Sequence, residues 1–101
     1  IIRGGVNISP MELDNVLLRD TRILEAAAVG VPDDKYGEDV VCYGVAKPGV
    51  DLSEADVRAH CDAALPEFRR PKEIHFIDEI PKNDRGKVKR EILKERWLAA
   101  H

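Results

Sequence analysis

The chain has 101 residues, room for one small domain with one core. Apolar residues at 44% exclude a disordered chain, and aromatics at only 5% leave Val, Ile, Leu and Ala to fill the interior. A net charge of −3 and a pI near 5.6 argue against a nucleic-acid partner, and no apolar run reaches the roughly 18–20 residues of a membrane span.

In chain order, residues 1–3 form a short extended piece that runs into a loop at Gly4 and Gly5. No secretory leader is visible, because the apolar patch at Ile1 ends at Arg3. The absent initiator Met points to a fragment of a longer chain. Ser9, Pro10 and Glu12 make a helix start: Ser9 caps, Pro10 fits the first helical position, and Glu12 can complete a capping box. Leu13, Val16 and Leu17 then predict an amphipathic helix over 10–19.

Residues 25–30 predict a strand, Pro32–Gly37 a turn, and residues 40–47 a β-branched second strand of the same hairpin, closed by Pro48-Gly49. Ser53 and Asp56 form a second capping pattern. Val57, Cys61 and Leu65 share one face of a helix over about 54–64, stopped at Pro66. A basic loop follows over 66–72. Residues 73–80 alternate as a strand, with Ile74 and Phe76 on one face and His75 and Ile77 on the other. Residues 88–99 predict a closing helix. The resulting class is α+β: a small, partly antiparallel sheet with about three helices packed on it, in the order β-loop-α-β-β-α-β-α. There is no internal linker, so residues 1–101 read as a single domain.

Cys42 lies in an apolar strand and Cys61 in a helix, so both read as buried free thiols of a cytoplasmic protein. His60 beside Cys61 does not make a metal site, since neighbouring helical positions point about 100° apart and no partner pair stands at ligand spacing. No metal ligands are assigned, and His75 reads as a structural residue. No Ser/His/Asp or Cys/His constellation is visible, and Gly4-Gly5 lacks the Gly-Lys-Ser/Thr ending of a phosphate loop. Three separated loops carry ligand-like chemistry instead: 3-RGGVNISP-10, 66-PEFRRPK-72 and 81-PKNDRGK-87.

The stretches 4-GGVNISPMELD-14, 30-GVPDDKYGEDV-40 and 66-PEFRRPKEIHFIDEIPKNDRGKVKR-90 resemble, in this order, the C-terminal domain of the acyl- and aryl-CoA synthetases. These belong to the adenylate-forming superfamily, with firefly luciferase and the peptide-synthetase adenylation domains. The resemblance implies the mobile lid domain of a chain several times longer, whose hinge and large N-terminal domain precede Ile1. It implies a two-step acid–CoA ligase, inactive as this domain alone. A carboxylate attacks the α-phosphate of ATP, with Mg2+, to give acyl-AMP and pyrophosphate. The domain then rotates, and the thiol of coenzyme A displaces AMP. ATP, Mg2+ and coenzyme A belong to the full-length enzyme, and none is expected on this domain alone. The partners implied are its own N-terminal domain, a carboxylic acid, ATP and coenzyme A.

Residue by residue, Lys87 matches the catalytic lysine of adenylation, where a mobile point charge offsets the negative charge built on the phosphate. Gly86 frees the turn that presents it and Pro81 fixes the approach. Gly4 and Gly5 match glycines that let backbone lie along the pantetheine channel. Tyr36 matches an aromatic position lining that channel, often Trp in the family. Phe68, Arg70 and Lys72 match positions receiving the nucleotide end of coenzyme A, by stacking and by charge. Arg3 and Asn7 read as structural, and Arg69 fits the pattern less firmly.

The spacing proline, four residues, Gly-Lys also resembles the site modified by bacterial Gcn5-type acetyltransferases. Lys87 is therefore an acetylation candidate, with a lysine acetyltransferase and deacetylase as further partners. The alternative from another class is a stand-alone interaction module, or acetyltransferase substrate, of the same fold. The acyl substrate is not legible, although Gly-Gly-Val-Asn-Ile leans towards medium-chain, aryl or dicarboxylic acids.

Overall fold

The computed structural model describes all residues, Ile1–His101. Two short strands, β1 (Ile2–Arg3) and β2 (Val6–Asn7), are joined by Gly4 and Gly5 at φ +56° and +85°. Two successive left-handed residues make the turn that matches the twist of a tight hairpin. Helix α1 (Pro10–Leu18) follows, then β3 (Ile23–Asp33) and β4 (Gly37–Ala46), α2 (Glu54–Ala64), a single 3₁₀ turn (Glu67–Arg69), β5 (Glu73–Phe76) and α3 (Arg90–Ala100).

The expected α+β architecture is the one observed. β4 is the central strand: β3 pairs with it antiparallel along one side, while β1 and β5 share the other side. Only β5 runs parallel to β4, with Cys42 opposite Ile74. Period-2 alternation sends Ala26, Ala28, Val40, Cys42 and Ile74 to one face, against Leu13 and Leu17 of α1 and Val57 and Cys61 of α2. Ala27, Val29, Val31, Val41, Tyr43 and Val45 go to the other face, against Leu93 and Trp97 of α3. Each helix thus buries an i, i+4 pair, and the two cores are built mainly from aliphatic side chains, with Cys42 and Cys61 in one and Tyr43 and Trp97 in the other.

Several expected boundaries move. β3 runs three residues beyond its predicted end and β4 starts three residues earlier, so the turn shrinks to residues 34–36. Pro32 sits inside β3 because that strand is an edge, where a missing N–H costs no ladder bond. β5 ends at Phe76 rather than at residue 80. Its edge continues only as the Ile77 amide donating to the Gly44 carbonyl, after which Ile80 turns into the second core. Ser9 does cap α1, accepting from the Glu12 amide at 3.3 Å. The expected reciprocal bond, from the Ser9 amide to the Glu12 carboxylate, is absent, and that carboxylate faces Arg69 at 3.8 Å. Ser53 and Asp56 form the complete box on α2.

Both cysteines are free and buried, and burial pushes both thiols up in pKa, out of the reactive range. His60 is a tie between helices: its Nε2 lies 2.7 Å from the Val16 carbonyl. Glu73 binds β5 to α3, accepting from Trp97 Nε1 at 3.0 Å with His75 Nε2 at 2.8 Å. Burial pushes Glu73 up, and its bonds to His75 and Trp97 outweigh that, leaving its carboxyl below the usual value.

The turn between α1 and β3 is pinned by Asp20, which accepts from the Arg22 amide, Nε and Nη2 at 3.0, 2.9 and 2.7 Å. Those bonds lower the Asp20 pKa from 3.8 to about 2 against the opposing effect of burial. Protonation therefore favours the unfolded chain. The stabilisation is complete above the unfolded value near 4 and is lost as pH falls towards about 2. Urea midpoints should fall across that window. Asp20→Asn should flatten the dependence, and an unchanged slope in the variant would show that Asp20 does not carry it.

Candidate functional site

The stretch Pro81–Lys89 forms a small hairpin between β5 and α3. Lys82 bridges Val88, and the Lys89 amide donates to the Pro81 carbonyl at 2.9 Å. Residues Asn83-Asp84-Arg85-Gly86 make a type I turn followed by a bulge: the Gly86 amide donates to the Asn83 carbonyl and the Asn83 amide to the Lys87 carbonyl, both at 2.9 Å. Gly86 takes φ +77°, the left-handed position such a bulge needs. The Asn83 side-chain oxygen accepts from the Arg85 and Lys87 amides at 2.9 and 3.0 Å. Asn83 thus fixes the backbone of Lys87 from inside the turn. The Lys87 side chain is exposed and joins no ion pair.

Two anchors fasten this hairpin to the outer edge of β3. Lys82 pairs with Glu25. Behind the turn, Arg90 forks onto Asp14 at 2.7 and 3.2 Å and also donates to the Ala28 carbonyl at 2.8 Å. The Ala28 amide donates to Asp14 at 2.7 Å. Asp14 is 7% exposed, so its charge is held by Arg90 and by a backbone amide instead of water.

The second candidate region lies across β4. A cleft of about 440 Å3 is lined by Arg3, Gly4, Val6, Tyr36, Glu67 and Phe68. The structure therefore brings together Gly4, Tyr36 and Phe68, which stand far apart in sequence. A Cβ on Gly4 would lie 3.3 Å from Tyr36 Cδ1, and the Gly4 amide donates to the Tyr36 carbonyl at 2.9 Å. The missing side chain is what lets the ring lie on the turn. Gly5 sits at the hairpin tip, where a Cβ would meet nothing. Asp33 shapes the neighbouring turn by accepting from the Lys35 and Tyr36 amides, and the Tyr36 bond holds its carboxyl below the usual value.

The resemblance assigns Arg70 and Lys72 to the nucleotide of coenzyme A, but the structure engages both elsewhere. Arg70 donates to the Leu65 and Asp62 carbonyls, each at 3.1 Å, completing the C-terminal end of α2. Lys72 Nζ lies 3.5 Å from Asp33 and over the Trp97 ring at 5.7 Å. Neither lines the cleft. Arg69 instead reaches the Phe68 ring, at 5.6 Å from its centroid.

The family described as AMP-binding enzyme C-terminal domain matches residues 12–87. The chain belongs to that family. Its relatives include a sulfoacetate–CoA ligase of Cupriavidus necator, 49% identical over 90 residues, which cover 89% of this chain and 18% of the relative. An oxalate–CoA ligase of Arabidopsis thaliana is 40% identical over 98 residues, 97% of this chain and 19% of the relative. The crystal structure of apo MatB from Rhodopseudomonas palustris superposes with a TM-score of 0.90 at 34% identity, over 96% of this chain and 19% of that one. The chain thus spans about a fifth of the length of the relatives it matches.

Within this AMP-binding C-terminal domain, the hairpin carrying Lys87 and the cleft holding Gly4 lie at opposite edges of the sheet. The first fastens to β3 and the second is built on β1, which pairs with β4 on its other side. Four contributors are missing from the sequence-based candidates. Asn83 was available as the first residue of an Asn-Asp-Arg-Gly turn. Asp14 and Arg90 stand 76 positions apart, and nothing local links them. Arg3 reads as structural, yet it lies in the wall of the cleft.

Proposed function

We propose that this chain is the C-terminal domain of an ATP-dependent acid–CoA ligase, whose Lys87 serves adenylate formation and whose Gly4–Tyr36–Phe68 cleft serves thioester formation. The observation that carries the proposal is the placement of two distinct exposed features at opposite sheet edges. One is an unpaired cation on a rigid turn, and the other is a cleft walled by glycine and aromatic rings. CoA-ligase relatives over almost the whole chain support the same reading.

In the first step a carboxylate oxygen bonds to the α-phosphorus while the bond to the pyrophosphate oxygen breaks. Lys87 forms no covalent bond. Its ammonium neutralises charge that the carboxylate and the phosphoryl oxygens concentrate at one place, and Asn83 holds the backbone that aims it. In the second step the thiol of coenzyme A gives up its proton, its sulfur bonds to the acyl carbon, and the carbon–oxygen bond to AMP breaks. The Gly4 turn leaves room for backbone to run beside a slender thiol arm, with the rings of Tyr36 and Phe68 as apolar walls. No three His, Cys, Asp or Glu side chains of this domain gather for an ion. Mg2+ would be held by ATP and by the larger part of the ligase, as would the acid.

The deciding experiment gives the intact ligase ATP, coenzyme A and a panel of sulfonated, dicarboxylic and aryl acids. Acid-dependent pyrophosphate release together with a CoA thioester of matching mass is the expected result. Absence of both with every acid would overturn the proposal. We further propose Lys87 as an acetylation switch, because its tip is exposed and unpaired and its acylation would remove the charge that adenylation uses. Peptide mass spectrometry after incubation with a Gcn5-type acetyltransferase and acetyl-CoA should place the modification on Lys87. Modification confined to other lysines would contradict it.

A further inference from the structure

Arg3 touches both aromatic walls of the cleft. Its Nη1 donates to the Phe68 carbonyl at 3.0 Å. Its guanidinium lies over the Tyr36 ring, 4.3 Å from the centroid. Its Nε lies 2.9 Å from Asp39 Oδ1, without the alignment of a hydrogen bond, so that contact is one of charge. Asp39 is itself buried and accepts from the Val40 amide at 2.7 Å, which fixes it on β4. The backbone of Arg3 pairs with Gly37, and the next residue is Gly4.

Three regions distant in sequence therefore meet at Arg3: the glycine turn that follows it, the Tyr36 turn with the start of β4, and the 3₁₀ turn of Phe68. Besides the Arg3 bond, the Phe68 segment is tied by Arg69 facing Glu12 at 3.8 Å and by Arg70 donating to the Leu65 and Asp62 carbonyls, but neither of those ties reaches the Tyr36 wall. The segment is three residues long, has no side-chain cap, buries no residue, and Phe68 is 44% exposed. The bond from Arg3 to the Phe68 carbonyl is long-range in sequence and sets how far that wall stands from Tyr36.

We infer that Arg3 is a positioning residue for the thioester step, setting the width of the cleft that receives coenzyme A by tying the Phe68 wall to the Tyr36 wall. This rests on the reading of the cleft given above. Arg3 takes no part in bond making; it acts through Phe68 and Tyr36. The role needs arginine specifically. A planar fork can stack on a ring, donate to a carbonyl and face a carboxylate at once, whereas a lysine supplies one point charge. Arg3→Lys keeps a positive charge beside buried Asp39, and so preserves the fold, while removing the simultaneous tie. Arg3→Met removes both.

The test uses the intact ligase with the acid that the wild-type enzyme turns over best, and follows the two half-reactions separately. For Arg3→Lys the KM for coenzyme A should rise about tenfold, the equivalent of one charge-assisted hydrogen bond. Acid-dependent pyrophosphate release should keep its wild-type rate, because that step uses the other sheet edge. Arg3→Met should show a KM rise at least as large, and if it fails to fold, Arg3→Lys alone decides. An unchanged KM for coenzyme A, or a parallel fall in both half-reactions, overturns the inference and leaves the ligase reading standing. A wild-type enzyme that releases pyrophosphate but forms no thioester overturns the reading of the cleft itself.

Discussion

Lys87→Ala in the intact ligase should lower the rate of acid-dependent pyrophosphate release by about 10²–10³-fold, the usual cost of removing one preorganised group from a developing oxyanion. The thioester half-reaction, started from preformed acyl adenylate and coenzyme A, should keep its rate. The physical basis is the geometry of the 81–89 hairpin. The Lys87 backbone is fixed by two bonds with Asn83: its amide donates to the Asn83 side-chain oxygen and its carbonyl accepts from the Asn83 amide, while the side chain is free of ion pairs. Removing the side chain beyond Cβ therefore deletes a charge without deleting a structural contact, and the fold should be unaffected. Asn83→Ala is the companion variant. It keeps the lysine and loosens its platform, so it should reduce the same half-reaction by a smaller factor. Gly4→Val should give the opposite split, because a side chain at φ +56° facing Tyr36 Cδ1 strains the turn and fills the cleft. If Lys87→Ala slowed both half-reactions equally, the assignment of separate edges to separate steps would fail.

Arg90→Met and Asp14→Ala should each destabilise the folded chain by about 3 kcal/mol, the range for breaking one partner out of a buried pair, and lower Tm by roughly 15 °C. The two carboxylate oxygens of Asp14 serve three donors: Arg90 Nη1, Arg90 Nη2 and the Ala28 amide. Each single variant strands a charge. Arg90→Met leaves the Asp14 carboxylate with one amide, and Asp14→Ala leaves the guanidinium with only the Ala28 carbonyl. The double variant should cost clearly less than the two singles added together, because it leaves no unpaired ion. Denaturant unfolding of all four proteins measures the coupling, and simple additivity would show that the pair does not act as a unit.

How much of this was legible depends on the range of each interaction. The Lys87 turn was readable because its signals are local. Asn-Asp-Arg-Gly specifies a type I turn with a left-handed fourth residue, and both appear. Gly4-Gly5 was readable for the same reason, as were Ser53 and Asp56 at the start of α2. The basic loop was harder. Its motif offers Phe68, Arg70 and Lys72 for the nucleotide end of coenzyme A, and the contacts they make in the folded chain, Phe68 in the cleft, Arg70 on the carbonyls ending α2 and Lys72 beside Asp33, are set by packing. Loop cations go to the nearest unpaired acceptor, and which acceptor is nearest is decided by packing. Arg3 and the Asp14–Arg90 pair belong to the same class: each joins elements that only the folded sheet makes neighbours.

The pair between α1 and α3 also bears on solubility. Strand β3 is an outer strand, and Ala28 stands at its middle. The amide and carbonyl that Ala28 turns away from the sheet are taken by Asp14 and Arg90. A second chain seeking to extend the sheet there would have to displace a carboxylate and a guanidinium before forming its first central ladder bond. Loss of either side chain should therefore expose an adhesive strand as well as weaken the fold. Such variants would then accumulate as β-rich aggregates at protein concentrations where the parent chain stays monodisperse.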